Sequence, residues 1–365
     1  MPEEGQLMGG GPKYDFDAIR GIQAGREFYV AMCPLKTIPK LFIFNDYDIP
    51  PELRSQRILR ESRIPAIKDY ILNNPKDYTF SSLTASVDGN MTFIPAPSLG
   101  KDGKLGRIYI DMDARLLIND GQHRRKAIEE ALKEKPELGR EMISVVFFQD
   151  EGLKRSQQMF SDLNKNAVKP TKSLNILYDH RDEFYRFIVD LANSLEIFRG
   201  RVEMEKTTLS NRSTKAFTLN GISDASLKLL GLGKTKKITK KDEGLITNFW
   251  KTVSENISEW QMLIKKEIPP SELRKNFVNT NTNLLNALGI AGRIIIQEFP
   301  NEWEIKLQSL KKIDWSRDAP EWDRRLMVNG QMQKQLIGIE LAANIIITKC
   351  GLSLSPIRQK IEDKL

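Results

Sequence analysis

Hydrophobic positions follow two rhythms along this chain. Over the first 150 residues they come in short runs between turn residues. Residues 26–44 carry Phe28, Tyr29, Val30, Ile38, Leu41, Phe42, Ile43 and Phe44, which reads as one or two strands split around Pro34 and Pro39. Residues 78–87 read as a strand, with Asp88-Gly89-Asn90 as a hairpin turn into a partner over 91–94. The apolar run 108–118 predicts a strand, and 143–148 a short buried one. Helices are expected over 52–73, interrupted near Pro65, and over 122–134, ending near Pro136. Strands, helix, strands, helix and strand in that order compose a small mixed α/β sheet.

Later the spacing becomes three to four. Leu245, Phe249, Val253, Ile257 and Trp260 mark one helical face, Leu284, Leu288, Ile294 and Phe299 another. Leu336, Ile339, Leu341, Ile345 and Ile346 mark a late buried helix, its apolar run broken by Glu340 and Asn344 and too short to span a membrane. Residues 199–245 keep neither rhythm. They are Ser/Thr-rich, basic and poor in large apolar groups, which predicts an exposed loop or mobile insertion. The expected class is α+β: a mixed α/β domain over 1–180 and a mainly helical domain over 181–365, with the basic loop near 199–245. A length of 365 residues suits two domains. The Gly-rich residues 1–13 are expected to be mobile, and no targeting segment is evident.

One stretch carries candidate chemistry. The strand 108–118 runs into Asn119-Asp120-Gly121, and a helix opens at Gln122. Asp120 is placed to cap that helix. A glycine turn at a helix start leaves amides and a positive dipole end facing outward, which suits a phosphate. Gln122, His123 and Arg124 stand at that end, and His123 is one of two histidines in the chain. An ordinary solvated turn accounts for the same residues, and both readings stay open on the residues alone.

Charge adds a second candidate. The net charge is +8, and residues 206–241 hold nine basic side chains against one acid, Asp224, an excess equal to that of the whole chain. A polyanionic partner is expected to meet this segment, with Arg212, Lys215, Lys234, Lys236 and Lys237 as phosphate contacts to double-stranded DNA. Gly231-Leu232-Gly233-Lys234-Thr235 is no phosphate-binding P-loop, because position 228 is Lys where that motif needs Gly; Gly231 reads as a helix C-cap. The only cysteines, Cys33 and Cys350, exclude a cysteine-built zinc or iron–sulfur site and suit a reducing cytoplasm. Arg54, Arg57, Arg60 and Arg63 drift around a helix rather than forming a stripe, which reads as a solvated face. Trp315 and Trp322, near Arg317, Arg324 and Arg325, can stack bases or anchor a helix layer, and core anchoring is the favoured reading.

The pentad Asp120 to Arg124 is similar to the signature of the DGQHR-domain proteins, which resemble the ParB and sulfiredoxin fold. Gly121, Gln122, His123, Arg124, Lys126 and Ala127 fall in register with the ParB box Gly-Glu-Arg-Arg-x-Arg-Ala. Gln122 stands where sulfiredoxin has its reactive cysteine, so reductase chemistry is not expected. Residues 161–165 line up with a second ParB box; there Asp162 and Asn164 would lie near a nucleotide and could hold Mg²⁺, or simply make turn hydrogen bonds. Among DGQHR proteins, the length and C-terminal half look most like the DndB family of bacterial DNA phosphorothioate modification systems.

That resemblance implies a DNA-binding transcriptional regulator, typically a repressor, of the modification genes. It would act upstream of its own cluster, beside other phosphorothioation proteins. It further implies control by a nucleoside triphosphate with Mg²⁺, the phosphates held by Gly121, Gln122, His123, Arg124, Asp162 and Asn164. The alternative is a nucleotide hydrolase or DNA-nicking enzyme with Asp120, His123 and Arg124 as catalytic groups. Regulators that read repeated sites bind as homo-oligomers, although no heptad or other dimerisation signal is present. His180 reads as part of a charged helix start.

Overall fold

The computed structural model describes residues 11–42, 61–96, 103–150, 170–233, 237–328, 331–332 and 336–365, with four short pieces between 152 and 163. Arg54, Arg57, Arg60, Asn164, Lys234 and Lys236 lie outside the described residues. Contacts divide the chain into two compact units, Met1–Val168 and Lys169–Leu365.

The first unit is built on seven strands. β1 (Lys13–Gln23) and β2 (Arg26–Pro34) form a hairpin across Ala24 and Gly25. Both turn residues have positive φ, 51° and 76°, the twist a tight hairpin needs. β1 escaped the sequence reading because its inward positions, among them Phe16 and Ala18, alternate with Asp15 and Asp17 and form no apolar run. After β2, residues 38–41, expected as strand, are a short helix α1 (Ile38–Leu41) with Pro39 in its first turn. Pro65 likewise sits in the first turn of α2 (Ile64–Asn73), directly after a 3-10 turn at Glu61–Arg63, while residues 52–60 of the expected helix lie outside the described residues. A proline lacks only the N–H that the first turn leaves unpaired anyway.

β3 (Leu83–Asp88), β4 (Met91–Pro95), β5 (Leu105–Asp111) and β6 (Arg115–Asp120) follow, then α3 (Gln122–Glu134) and β7 (Met142–Gln149). The hairpin expected at Asp88-Gly89-Asn90 does not form. β3 pairs with β6 and, in parallel, with β7, while β4 pairs with β5. The two ladders are successive parts of one long bent hairpin: Met91 faces Ile110, Asp88 faces Arg115, and the Asp111 amide donates to the Asn90 carbonyl between them. In the sheet order β4-β5-β1-β2-β7-β3-β6 the two outer strands, β4 and β6, therefore belong to that same hairpin. Phe16, Ala31, Cys33, Ala85, Ile108, Ile118, Val145 and Phe147 fill one core with Ile38, Ile71, Ala127 and Ile128 of the helices.

The second unit is a helical layer. α4 (Lys172–Tyr178) and α5 (Glu183–Ser194) open it, with Thr171 and Asp182 as N-caps. Ile176 packs with Phe184 and Ile188, so the helix ahead of residue 180 shares the C-terminal core. His180 is exposed, and the acid that starts α5 is Asp182.

Residues 199–245 depart from the exposed loop expected of them. β8 (Val202–Glu203) pairs in parallel with β9 (Phe217–Thr218), and α6 (Leu219–Leu230) is among the most buried helices. Its buried apolar groups, Leu219, Ile222, Ala225 and Leu229, are interleaved with Asn220, Gly221, Ser223 and Ser226, so no continuous apolar run marks the burial. Ser226 accepts the Trp250 indole N–H at 3.0 Å. Gly231 ends α6 at φ 69°, the C-cap expected of it.

α7 (Lys240–Asn256), α8 (Ser258–Ile264), α9 (Pro270–Asn276), α10 (Thr282–Glu298) and α11 (Trp303–Leu307) follow. α10 is central, packing on α6 and on α12 (Leu336–Lys349). Trp315 and Trp322 are buried and stacked with centroids 5.5 Å apart; they anchor the core and offer no face to a base. The polar residues that break the α12 run join it to α13 (Pro356–Glu362). Arg358 bonds Glu340 at 3.0 Å and the Asn344 oxygen at 2.8 Å, and Asn344 donates to Glu362 at 2.9 Å. No helix among the described residues is long and apolar enough to cross a membrane.

Candidate functional site

The strand–turn–helix at Asp120 forms as the sequence implies. β6 ends at Asp120, Gly121 takes φ 103°, and α3 starts at Gln122. A left-handed backbone here excludes other residues at low cost. The room that glycine leaves is not open to a ligand, however. A Cβ at Gly121 would strike Leu83 Cδ2 and would sit 3.2 Å from Arg124 Nη2.

Asp120 does not cap the helix. The N-cap position falls one residue later, on Gly121, which has no side chain to offer. The Asp120 carboxylate instead receives Arg124 Nη2 at 2.6 Å. Arg124 Nη1 donates to the Ser81 carbonyl and hydroxyl and, at 3.2 Å, to the Ser82 carbonyl. Arg124 thus ties the start of α3 to the segment entering β3, and its side chain is only 15% exposed. Gln122 is buried, its amide turned back to within 3.4 Å of the Ile118 carbonyl. His123 is half-buried on the same turn.

The remaining charges of the motif are also matched. Arg125 is buried, bonded to Glu129 and to the Pro39 carbonyl at 2.8 Å. Lys126 reaches Glu129 at 2.9 Å and Glu130 at 3.0 Å; the Glu129 hydrogen bond leads the causes that hold its pKa above the ordinary value. Arg124, Arg125 and Lys126 therefore meet three carboxylates, Asp120, Glu129 and Glu130. The turn therefore carries no excess of positive charge, and what it can offer an anion is the positive end of the α3 dipole. An anion arriving at the first-turn amides meets the Asp120–Arg124 pair first. Behind the turn, buried Ser86 donates to Asn119 Oδ1 at 3.0 Å and lies 4.0 Å from Met159 Sδ.

Asp162 is exposed and accepts from Gln158 at 2.7 Å, a helix-side bond of the kind a structural role requires. Among the described residues no group of three or more His, Cys, Asp or Glu side chains makes a metal-binding set. Of the basic residues assigned to DNA, Arg212 and Lys237 are exposed, whereas the Lys215 amine is taken up by the Gly200 carbonyl at 2.9 Å.

Sequence reasoning missed the partners of Arg124. Ser81 and Ser82 lie more than 40 residues upstream and carry no motif of their own; only the return of β3 beside β6 brings them there. A concavity of about 330 Å³ lined by Arg26, Tyr29, Gln149 and Arg155 also had no signal in the sequence.

The family model for DndB, described as DNA-sulfur modification-associated, matches residues 16–353. No curated protein and no solved structure matches the chain.

Proposed function

The chain belongs to the DndB family, associated with DNA-sulfur modification, and on that premise we propose that it is a DNA-binding regulator of the modification genes, acting as a repressor. The observation that carries the reading is the basic excess of residues 206–241, which equals the net charge of the chain. In that segment the exposed Arg212 and Lys237 neutralise DNA phosphates, with Lys215, Lys234 and Lys236 as further contacts. The partners are double-stranded DNA upstream of its own cluster and the other phosphorothioation proteins. The protein works in the cytoplasm, and reading repeated sites makes it a homo-oligomer.

The uncapped start of α3 favours one refinement, a nucleoside triphosphate held at the Asp120–Arg124 turn to control the grip on DNA. Gly121, Gln122 and His123 then offer backbone amides, and Arg124 leaves Asp120 for the phosphate. The same feature supports a nucleotide hydrolase or nickase using Asp120, His123 and Arg124.

The test is competitive binding across a salt series, with the fragment upstream of its gene against an unrelated fragment. A preference for its own fragment that survives rising salt is expected. Equal and steeply salt-dependent binding to both, or none to either, overturns the regulator. Turnover of nucleotide or nicking of DNA that His123→Ala abolishes, with DNA binding intact, selects the enzyme.

A further inference from the structure

A cleft of the second unit lies away from the Asp120–Arg124 turn in sequence and belongs to no motif. It encloses about 1050 Å³. Its walls come from residues 207–211, from α9, and from the starts of α6 and α10. Those two helices run side by side in the same direction: Thr218 lies beside Thr282, with hydroxyls 3.4 Å apart, and Gly289 lies against Ala225 further along. Two positive helix ends therefore open into one cleft.

The charges of the lining agree. Arg274, Lys275 and Arg317 face it against a single carboxylate, Glu272. Arg274 is fully occupied, since it donates to the carbonyls of Ser210, Asn211, Ser213 and Lys215 and so fixes the wall. Arg317 is different. Its Nε is buried and has no hydrogen-bond partner, and burial holds its pKa below the ordinary value. Arg317 as a whole is half-buried, and an N–H taken from water without a partner is costly unless something else supplies an acceptor. Most of the remaining lining is hydroxyl and amide, including Thr207, Thr280 and Asn283, beside Leu209, Pro269 and the half-buried Phe277 as its one aromatic.

We propose that this cleft binds a nucleoside phosphate, free or as a unit of a single strand, with its phosphate on Arg317 at the paired helix starts. Lys275 adds charge at the rim. The hydroxyls and amides suit a sugar and base edges, and Phe277 offers a stacking surface. The site stands apart from the regulator reading, which concerns duplex DNA and the exposed basic residues.

The experiment is calorimetric titration of the full chain with AMP, with a single-stranded dT oligonucleotide and with inorganic phosphate, each repeated on Arg317→Gln. Binding of AMP or of the oligonucleotide by the wild type is expected, weakened at least tenfold in R317Q. AMP binding as tight as that of the strand identifies a free nucleotide as the source, and binding of the strand alone identifies a nucleic acid. Because R317Q removes a half-buried cation whose Nε has no partner, it is expected to melt no lower than the wild type. Should R317Q not fold, the exposed rim decides: Lys275→Gln is expected to weaken and Glu272→Lys to tighten binding several-fold. No binding of AMP or oligonucleotide by the wild type overturns the proposal. So does wild-type affinity in R317Q, or, where that variant does not fold, in both rim variants. Duplex binding measured in parallel keeps the two readings separate, because loss of duplex preference with AMP binding retained sinks the regulator and leaves the cleft.

Discussion

At Gly121 the missing side chain serves the protein rather than a ligand. Its φ of 103° is closed to other residues, and Leu83 occupies the space a Cβ would need. Gly121→Ala is expected to cost about 3 kcal/mol, combining backbone strain with overpacking. Gly25→Ala, at φ 76° with open space around it, bears the strain alone and should cost about 1 kcal/mol. Urea denaturation separates them, and equal losses would show that Leu83 yields freely. The thiols of Cys33 and Cys350 make a second residue-scale case. Burial pushes each from the ordinary 9.0 up to about 12. A raised pKa means that the fold favours the neutral thiol, so this stability is complete below pH 9 and is lost as pH rises towards about 12. A thiol reagent at pH 8 should therefore label neither cysteine until the chain unfolds, and rapid native labelling would contradict their burial.

Between elements, the α6–α10 contact turns on close approach. A Cβ at Gly289 would fall on the Ala225 carbonyl oxygen, a backbone atom that cannot rotate away. Gly289→Ala is expected to destabilise by about 2–3 kcal/mol as the helices part. Gly244→Ala in α7 is the opposite case, since nothing lies within 4 Å and the backbone is helical. It should stabilise by about 0.5–1 kcal/mol through helix propensity and a less free unfolded chain. Thermal melts of the two variants should shift in opposite directions, and a shared sign would contradict the packing. The same contact explains why α6 was not legible as core. Small residues pack two helices closely without forming an apolar run, so a pattern of large hydrophobes passes over them.

For the whole molecule, charge is the property that acts at a distance. Replacing Arg212, Lys215 and Lys237 together by Gln removes three cations from the segment that holds the excess. If all three meet phosphates, the slope of log affinity for duplex DNA against log salt should fall by about 2–3. A smaller change is expected if Lys215 stays on the Gly200 carbonyl, and an unchanged slope would remove this segment from the DNA contact. Arg274 should not be included, because it holds the wall of residues 210–215 and its loss would disturb the fold.

What the chain determined by itself is local. The glycine turn and the helix 122–134 follow from apolar spacing and one residue that tolerates positive φ, and Gly231 closes α6 for the same reason, whereas the single strand expected over 108–118 is two, β5 and β6, parted by a turn at 112–114. The change from strand to helical rhythm, and the burial of Trp315 and Trp322, were legible too, because large apolar groups have few places to go. Tertiary structure decided the pairings. Asp88-Gly89-Asn90 looks like a hairpin turn, yet its flanking strands pair with β6 and β5 instead of each other, and β3 gains β7 as a second partner for its backbone groups. It also decided what each charge does. Arg124 met Asp120, Ser81 and Ser82, while half-buried Arg317, a sequence neighbour of two tryptophans, was left with its Nε buried and unpartnered. Spacing reports which residues share a face. The partner of a side chain depends on segments far away in sequence, and only the folded chain brings those together.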